Sequence, residues 1–163
     1  MKQLARVVGA GLTVLLVAMA AAGGQAPKKT SLRDQMIGSW KLTARVTSQP
    51  DGSFITDPKY GEKPVGYISY DNAGWMSVQF MKRERPADIE TFEGYEAYFG
   101  HYTVDEYNKT VTHHIEGHES PKRVGTDFVR GVEINGDQLK LIVHTKGPDG
   151  RAITNINTFS RIK

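Results

Sequence analysis

The chain has 163 residues, a length typical of a single domain, and its formal charge at pH 7 is +3. It contains no cysteine, so no disulfide can form and the hydrophobic core alone must stabilise the fold. Two of the positive charges are Lys2 and Arg6, without which the charge is +1. No basic stripe follows them, and we therefore expect no nucleic-acid partner.

The first 24 residues have the pattern of a secretory signal peptide. Lys2 and Arg6 precede an apolar run over 7–22 that ends in three alanines, a sequence suited to a signal peptidase. A membrane anchor is the alternative, but a run of about 16 residues is shorter than the roughly 20 that span a bilayer. We expect cleavage between Ala22 and Ala26, export to the periplasm or the extracellular space, and no stable membrane anchor afterwards. A flexible tether over 25–33 then precedes one domain over 34–163.

The mature chain begins with a predicted short helix. Thr30 or Ser31 can cap it, and it carries Leu32, Met36 and Ile37. We expect this helix to plug one end of the domain.

A strand is predicted directly after this helix, because apolar and polar residues alternate from residue 40 onwards. Such alternation is typical of a strand with one buried and one exposed face. The residues assigned to the buried face are Trp40, Leu42, Ala44 and Val46.

The rest of the chain is predicted to consist mainly of short strands joined by tight turns. The strands are predicted over 54–56, 65–70, 75–81, 100–105, 110–116, 128–134, 138–145 and 152–162. Asn135-Gly136-Asp137 is the strongest hairpin signal among the turns. Residues 88–98 have helical spacing instead, and we expect a short helix across the mouth of the domain. Eight or nine antiparallel strands with short connections predict an all-β barrel or sandwich.

Gly38-Ser39-Trp40 enters the first strand, and the last strand carries a lone Arg161. These two features at the ends of the domain resemble the calycin group, to which the lipocalins belong. In that group the arginine lies over the tryptophan and closes one end of a β-barrel. A guanidinium on an indole ring is a favourable cation–π contact.

Four motifs are informative together: Gly38-Ser39-Trp40, Pro64–Tyr70 followed by Gly74–Gln79, Tyr95–Gly100 with Tyr102, and Val111–Gly117. They are similar to a bacterial and fungal family of lipocalin-like domain proteins, and the resemblance covers about residues 34–162. It implies an antiparallel barrel of 8–10 strands around a cavity, but no particular ligand or reaction.

Strand alternation predicts which polar side chains face the interior. His113 shares a face with Val111 and Ile115, whereas His114 and Glu116 face outwards. Apolar walls with a few polar groups are typical of a small-molecule site, and an arginine there can hold an acidic oxygen. The candidate ligand-binding residues are Tyr70, Gln79, Tyr102, His113, Arg130 and Asn157.

A metal site is not expected, although three histidines lie close together in the sequence. His113 and His114 point to opposite faces of a strand, and His114 and His118 are about 13 Å apart on one face at 3.3 Å per residue. Such a separation is too large for one ion, which normally needs three or four protein ligands.

These patterns favour an exported protein that binds a small, mainly hydrophobic molecule in its barrel, without a cofactor. One alternative is a cofactor-free isomerase, cyclase or lyase, in which Tyr102 or His113 moves a proton and Arg130 stabilises an oxyanion. A second alternative is an interaction protein with a filled barrel. The sequence leaves the ligand, the catalytic residues and the oligomeric state open.

Overall fold

The computed structural model of the chain describes residues 30–87, 91–147 and 149–163. The predicted signal peptide and residues 25–29 of the predicted tether lie outside these ranges. The described elements are a helix α1 (Leu32–Met36), the strands β1 (Gly38–Ser48), β2 (Phe54–Thr56), β3 (Val65–Tyr70), β4 (Trp75–Met81), β5 (Tyr95–Asp105), β6 (Thr110–His118), β7 (Asp127–Asn135), β8 (Gln138–Lys146) and β9 (Ala152–Arg161), and a 3-10 turn (Pro121–Arg123).

The strands form one antiparallel sheet that closes into a barrel. From β3 to β9, each strand pairs with the next strand in the chain. β1 pairs with both β3 and β9, which closes a ring of eight strands, and the short β2 adds to the far end of β1. The predicted all-β barrel is confirmed, and closure leaves the eight ring strands with no free edge over their paired length.

The helix α1 seals one end of the barrel, as predicted. The Ser31 hydroxyl caps it by accepting a hydrogen bond from the Asp34 N–H at 3.0 Å. Leu32 and Met36 are buried in the barrel core. Since Leu32 is already helical, the helix begins inside the segment that the sequence assigned to the tether.

The half of the barrel nearest α1 is filled with apolar and aromatic side chains. Burying these side chains removes their apolar surface from water, which is the main favourable contribution to folding. The buried side chains include Trp40, Leu42, Ile68, Tyr70, Met76, Tyr102, Val111, Leu139 and Phe159. The opposite end of the barrel, where β5 and β9 begin and β6 and β8 end, has no helix over it in the described residues.

The predicted helix over 88–98 is wrong for the residues that the structure describes. Residues 88–90 lie outside the described ranges, and 91–94 form a turn. From Tyr95 onwards the chain is β5, which pairs with β4 from Met81↔Tyr95 to Trp75↔His101. The backbone hydrogen bonds that β4 offers along its whole length thus override the helical spacing of the side chains.

Two β-bulges reverse the face assignment near the open end. In β1, Leu42 pairs with Phe159 and Ala44 with Thr158, so Thr43 is an extra residue. In β6, Ile115 pairs with Gly100 and Gly117 with Phe99, so Glu116 is extra. An extra residue shifts the alternation by one position.

The bulges overturn two predictions from strand alternation. Arg45 turns into the barrel interior, where it bonds to Asn157, and the assignment of Ala44 and Val46 to the buried face is wrong. His118 likewise turns inwards, and its predicted position on the face of His114 is wrong.

Candidate functional site

The open end of the barrel contains a cavity of about 350 Å³. It reaches down to Arg130, which is only 8% exposed. A cavity of about 410 Å³ adjoins it and shares Arg45, Thr145 and Asn155, but turn residues form much of its wall. The residues that line the first cavity, here called the mouth cavity, are Arg45, Lys59, Tyr60, Glu96, Arg123, Asp127, Phe128, Val129, Arg130, Val143, His144, Thr145 and Asn155.

Phe128 and two arginines form one wall of the mouth cavity. The guanidinium carbon of Arg130 lies 4.9 Å from the centre of the Phe128 ring, and that of Arg123 lies 5.3 Å from the same centre. Arg130 is held in β7 with its side chain inwards, and Arg123 comes from the 3-10 turn at the rim. The two positive charges therefore flank one aromatic ring.

A chain of buried polar groups runs from Arg130 towards the closed end. The Nη2 atom of Arg130 donates to the Tyr98 hydroxyl at 3.1 Å, which lies 3.3 Å from Nδ1 of His113. Nε2 of His113 lies 2.8 Å from the Tyr70 hydroxyl. Burial lowers the pKa of His113 well below 6.5, with a further contribution from the Arg130 charge, so its ring is neutral at pH 7.

The neutral His113 ring has one N–H and one bare nitrogen, so the hydrogen-bond directions in this chain depend on its tautomer. If Nδ1 carries the proton, it donates to Tyr98 while Tyr70 donates to Nε2. The Tyr98 hydroxyl then accepts from both Arg130 and His113 and keeps its own proton free. Burial raises the pKa of Tyr98 to about 12, so this proton is retained at neutral pH. In this tautomer Tyr98 offers a hydrogen-bond donor beside Arg130.

A second buried histidine, His118, lies against the same aromatic groups. Its ring stacks on Tyr98 at 5.6 Å between centres and meets Phe128 edge-on at 5.9 Å. Its side chain is 2% exposed, Nδ1 lies 2.9 Å from the Glu119 carboxylate, and burial lowers its pKa. Nε2 is buried and has no hydrogen-bond partner among the described residues.

The facing wall of the mouth cavity is built from Arg45 and Tyr60. Arg45 forms a 2.6 Å salt bridge with Asp57, donates to Asn157 at 2.8 Å and lies over the Tyr60 ring. The Tyr60 hydroxyl donates to Glu96 at 2.7 Å. The salt bridge thus gives Arg45 a counter-ion, and these contacts hold the Tyr60 ring in place.

The structure places the six predicted site residues at different depths. Arg130 lines the mouth cavity, and Tyr70 and His113 lie behind it in the polar chain. Asn157 is buried behind Arg45. Tyr102 is buried near the closed end, where its hydroxyl donates to the Asp71 carbonyl at 2.8 Å.

The predicted inward position of Gln79 is wrong, because its side chain is exposed on the outer face of β4. Its apolar neighbours Met76, Val78 and Phe80 take the interior positions. These three residues alternate in the sequence, so the pattern itself contained the correct assignment.

Sequence reasoning also missed several groups at the open end. Tyr98 was assigned to a helix, and the bulges hid Arg45 and His118. Tyr60 lies in an irregular segment with no periodicity to assign it. The pairing of Tyr98 with Val78 is the feature that turns Tyr98 inwards, and it is not visible in the local sequence.

The remaining histidine contacts lie on the outside of the barrel. His114 pairs with Asp127 at 2.8 Å, and His101 pairs with Glu116. In the ranges that the structure describes, no three histidine, aspartate or glutamate side chains are grouped closely enough to hold a metal ion.

The family of the chain follows from a match over nearly the whole barrel. The family model described as "Lipocalin-like domain" matches residues 37–161, and the chain belongs to this family. No curated protein matches the chain. Among solved structures, a complex of bovine odorant-binding protein with a selenium-containing odorant is similar, with 12% identity, a TM-score of 0.44, and coverage of 85% of this chain and 78% of that one. None of the helices within the described ranges has the length and apolarity to span a membrane.

Proposed function

We propose that this protein binds a small, mainly hydrophobic molecule in the mouth cavity. The observation that carries the proposal is a cavity of about 350 Å³ that reaches a buried arginine from the open end of the barrel. Small-molecule sites have volumes of roughly 300–1,000 Å³ and combine apolar walls with a few polar groups. Phe128, Tyr60 and Val143 supply apolar surface, the rest of the lining is mainly polar or charged, and Arg130 is its buried polar group.

The positions of His113 and Tyr102, the two predicted proton-transfer groups, favour ligand binding over catalysis. A general acid or base must come within hydrogen-bond reach of its substrate. His113 is 0% exposed, and both of its ring nitrogens face tyrosine hydroxyls. The Tyr102 hydroxyl is directed to a backbone carbonyl near the closed end. Neither group lines the mouth cavity, which favours reversible binding.

The filled-barrel alternative has support in the closed half, where buried apolar and aromatic side chains pack together. The mouth cavity and its neighbour occupy the open half. A third cavity, of about 360 Å³, lies beside α1, but it does not contain the buried Arg130. We therefore place the ligand at the open end, in contact with β7, β8 and the segment before β5.

We also propose that the protein is exported. The signal-peptide pattern of the first 24 residues is the support for this proposal. The mass of the mature protein, recovered from cells that express the whole reading frame, tests this. Export with cleavage predicts a chain that begins between residues 23 and 26 in the periplasm or medium. A full-length chain retained in the cell would contradict it.

The binding proposal is tested with N-phenyl-1-naphthylamine, an uncharged probe whose fluorescence rises in apolar surroundings. We expect saturable binding to the wild-type protein. Val143→Trp places a large ring in the mouth cavity and should abolish the signal. Gln79→Trp adds the same ring to the outer face and is the matched control. Equal binding by both variants, or no binding by the wild type, would overturn the proposal.

A further inference from the structure

We propose that the natural ligand is a ring-containing anion, and that Arg123 and Arg130 hold its carboxylate-like group beside Phe128. This inference rests on the proposed function, because it assigns a chemical class to the molecule in the mouth cavity. It depends on three features of the described residues: an excess of positive charge, a buried arginine without a carboxylate partner, and the geometry around Phe128.

The mouth cavity carries more positive than negative charge. Its lining includes four cationic side chains, Arg45, Lys59, Arg123 and Arg130, and two acidic ones. Arg45 is already paired with Asp57. Glu96 accepts from the neutral Tyr60 hydroxyl, and Asp127 lies 2.8 Å from His114 on the outer face. With Arg45 set aside, three cations, Lys59, Arg123 and Arg130, stand against two carboxylates, an excess of one positive charge.

Arg130 is the most informative of these cations because it is 8% exposed. Within the described part of the chain it donates to the Tyr98 hydroxyl, and no carboxylate lies within salt-bridge distance of it. A buried charge is costly unless an opposite charge or a hydrogen-bond network compensates it. A bound anion would supply that compensation.

Arg123 approaches the same place from the rim. Its guanidinium lies over the Phe128 ring, and no carboxylate of the described residues is within salt-bridge distance. Two like charges beside one ring repel each other, and an anion bound between them would relieve this repulsion. Guanidinium groups also match carboxylate geometry, because their parallel N–H donors can bind both oxygens.

The rest of the ligand is expected to contain a flat ring. Phe128 and Tyr60 both line the mouth cavity, and aromatic side chains favour offset or edge-to-face contacts with other rings. Tyr98 lies directly behind Arg130 and accepts a hydrogen bond from it, which fixes the position of the arginine. An aromatic carboxylate combines a flat ring and an anionic group in one molecule.

The test compares two probes of the same shape, the anionic naphthalene-2-carboxylate and the neutral naphthalene-2-carboxamide. Each is titrated against bound N-phenyl-1-naphthylamine. We expect the wild-type protein to bind the carboxylate at least about tenfold more tightly than the amide. This preference for the carboxylate should fall as the salt concentration rises, because salt screens the charges. Arg130→Met and Arg123→Met should each remove most of this preference, because each should weaken carboxylate binding more than amide binding.

Arg123 is exposed, so its substitution keeps the test valid if Arg130→Met does not fold. Arg151→Met, a change at an exposed cation of the neighbouring cavity, is the control and should keep the preference. Equal affinity for the two probes, with both blocked by Val143→Trp, would overturn the anion inference and leave the proposed function intact. Failure of both probes and of the fluorescent one would overturn the proposed function itself.

Discussion

The Arg161 guanidinium lies over the Trp40 ring, with its carbon 3.9 Å from the ring centre. The same group donates to the carbonyls of Ile37 at 2.8 Å and Gln35 at 2.7 Å. The last strand thus fastens the end of α1 to the first strand. This contact closes the α1 end of the barrel. It confirms the prediction, from the Gly-x-Trp motif and the lone arginine, that Arg161 lies over Trp40.

Loss of this contact should destabilise the whole barrel. We expect Arg161→Met to lower the free energy of unfolding by about 2–3 kcal/mol, because it removes a cation–π contact and two charged hydrogen bonds. Urea denaturation followed by tryptophan fluorescence measures the change. Lys163→Met removes an exposed charge two residues away and should have little effect. Equal stability of the two variants would contradict this role.

The Arg45–Asp57 pair is predicted to stabilise the open end. Asp57 accepts from Arg45 at 2.6 Å and from the Lys59 N–H at 2.9 Å, and both side chains of the salt bridge are largely buried. Asp57→Ala leaves the arginine buried without a counter-ion, and we expect a loss of about 3–5 kcal/mol. Thermal unfolding checks this, with the exposed Asp51→Ala as the comparison. A loss no greater than that of Asp51→Ala would refute it.

Gly100 is predicted to tolerate no side chain, because it lies at the bulge that turns His118 inwards. A Cβ atom there would come within 1.9 Å of the His114 carbonyl oxygen. We expect Gly100→Ala to cost about 3 kcal/mol or more, since backbone cannot move as a side chain does. At Gly131 the nearest atom would be 3.4 Å away, so Gly131→Ala should cost far less. Denaturant titration of both variants decides the point.

His113 makes the fold sensitive to acid. Its pKa is lowered in the folded state by burial, while the unfolded chain binds a proton near pH 6.5. Below that pH the unfolded state binds more protons, so stability falls as the pH falls towards the folded pKa. One such group contributes up to about 1.4 kcal/mol per pH unit.

The non-titrating variant His113→Gln should show a shallower loss of stability between pH 6.5 and 5 than the wild type. The exposed His144→Gln should retain the wild-type slope, and denaturation at several pH values provides both curves. His118 is also buried with a lowered pKa, so some acid sensitivity should remain in His113→Gln. Identical slopes for wild type and His113→Gln would contradict this account of the buried histidine.

Local sequence patterns predict the strands well and the site only in part. The hairpins, the helix α1 and the inward positions of His113 and Arg130 follow from alternation and turn residues. The inward positions of Arg45 and His118 do not, because each depends on a bulge. A bulge is fixed by the pairing of two strands distant in sequence, which local alternation does not report. The helical spacing of residues 88–98 likewise does not report the pairing of β4 with β5, which makes the segment from Tyr95 onwards a strand.

The most direct test of the central claim is to locate a bound anion by NMR. Naphthalene-2-carboxylate is titrated into the isotopically labelled mature protein, and shifts of backbone amides are followed. We predict that the largest changes lie at Phe128, Arg130, Val143 and Asn155, around the mouth cavity. Changes centred instead on Leu32, Lys109 and Ile134, at the cavity beside α1, or no changes at saturating probe, would contradict the claim.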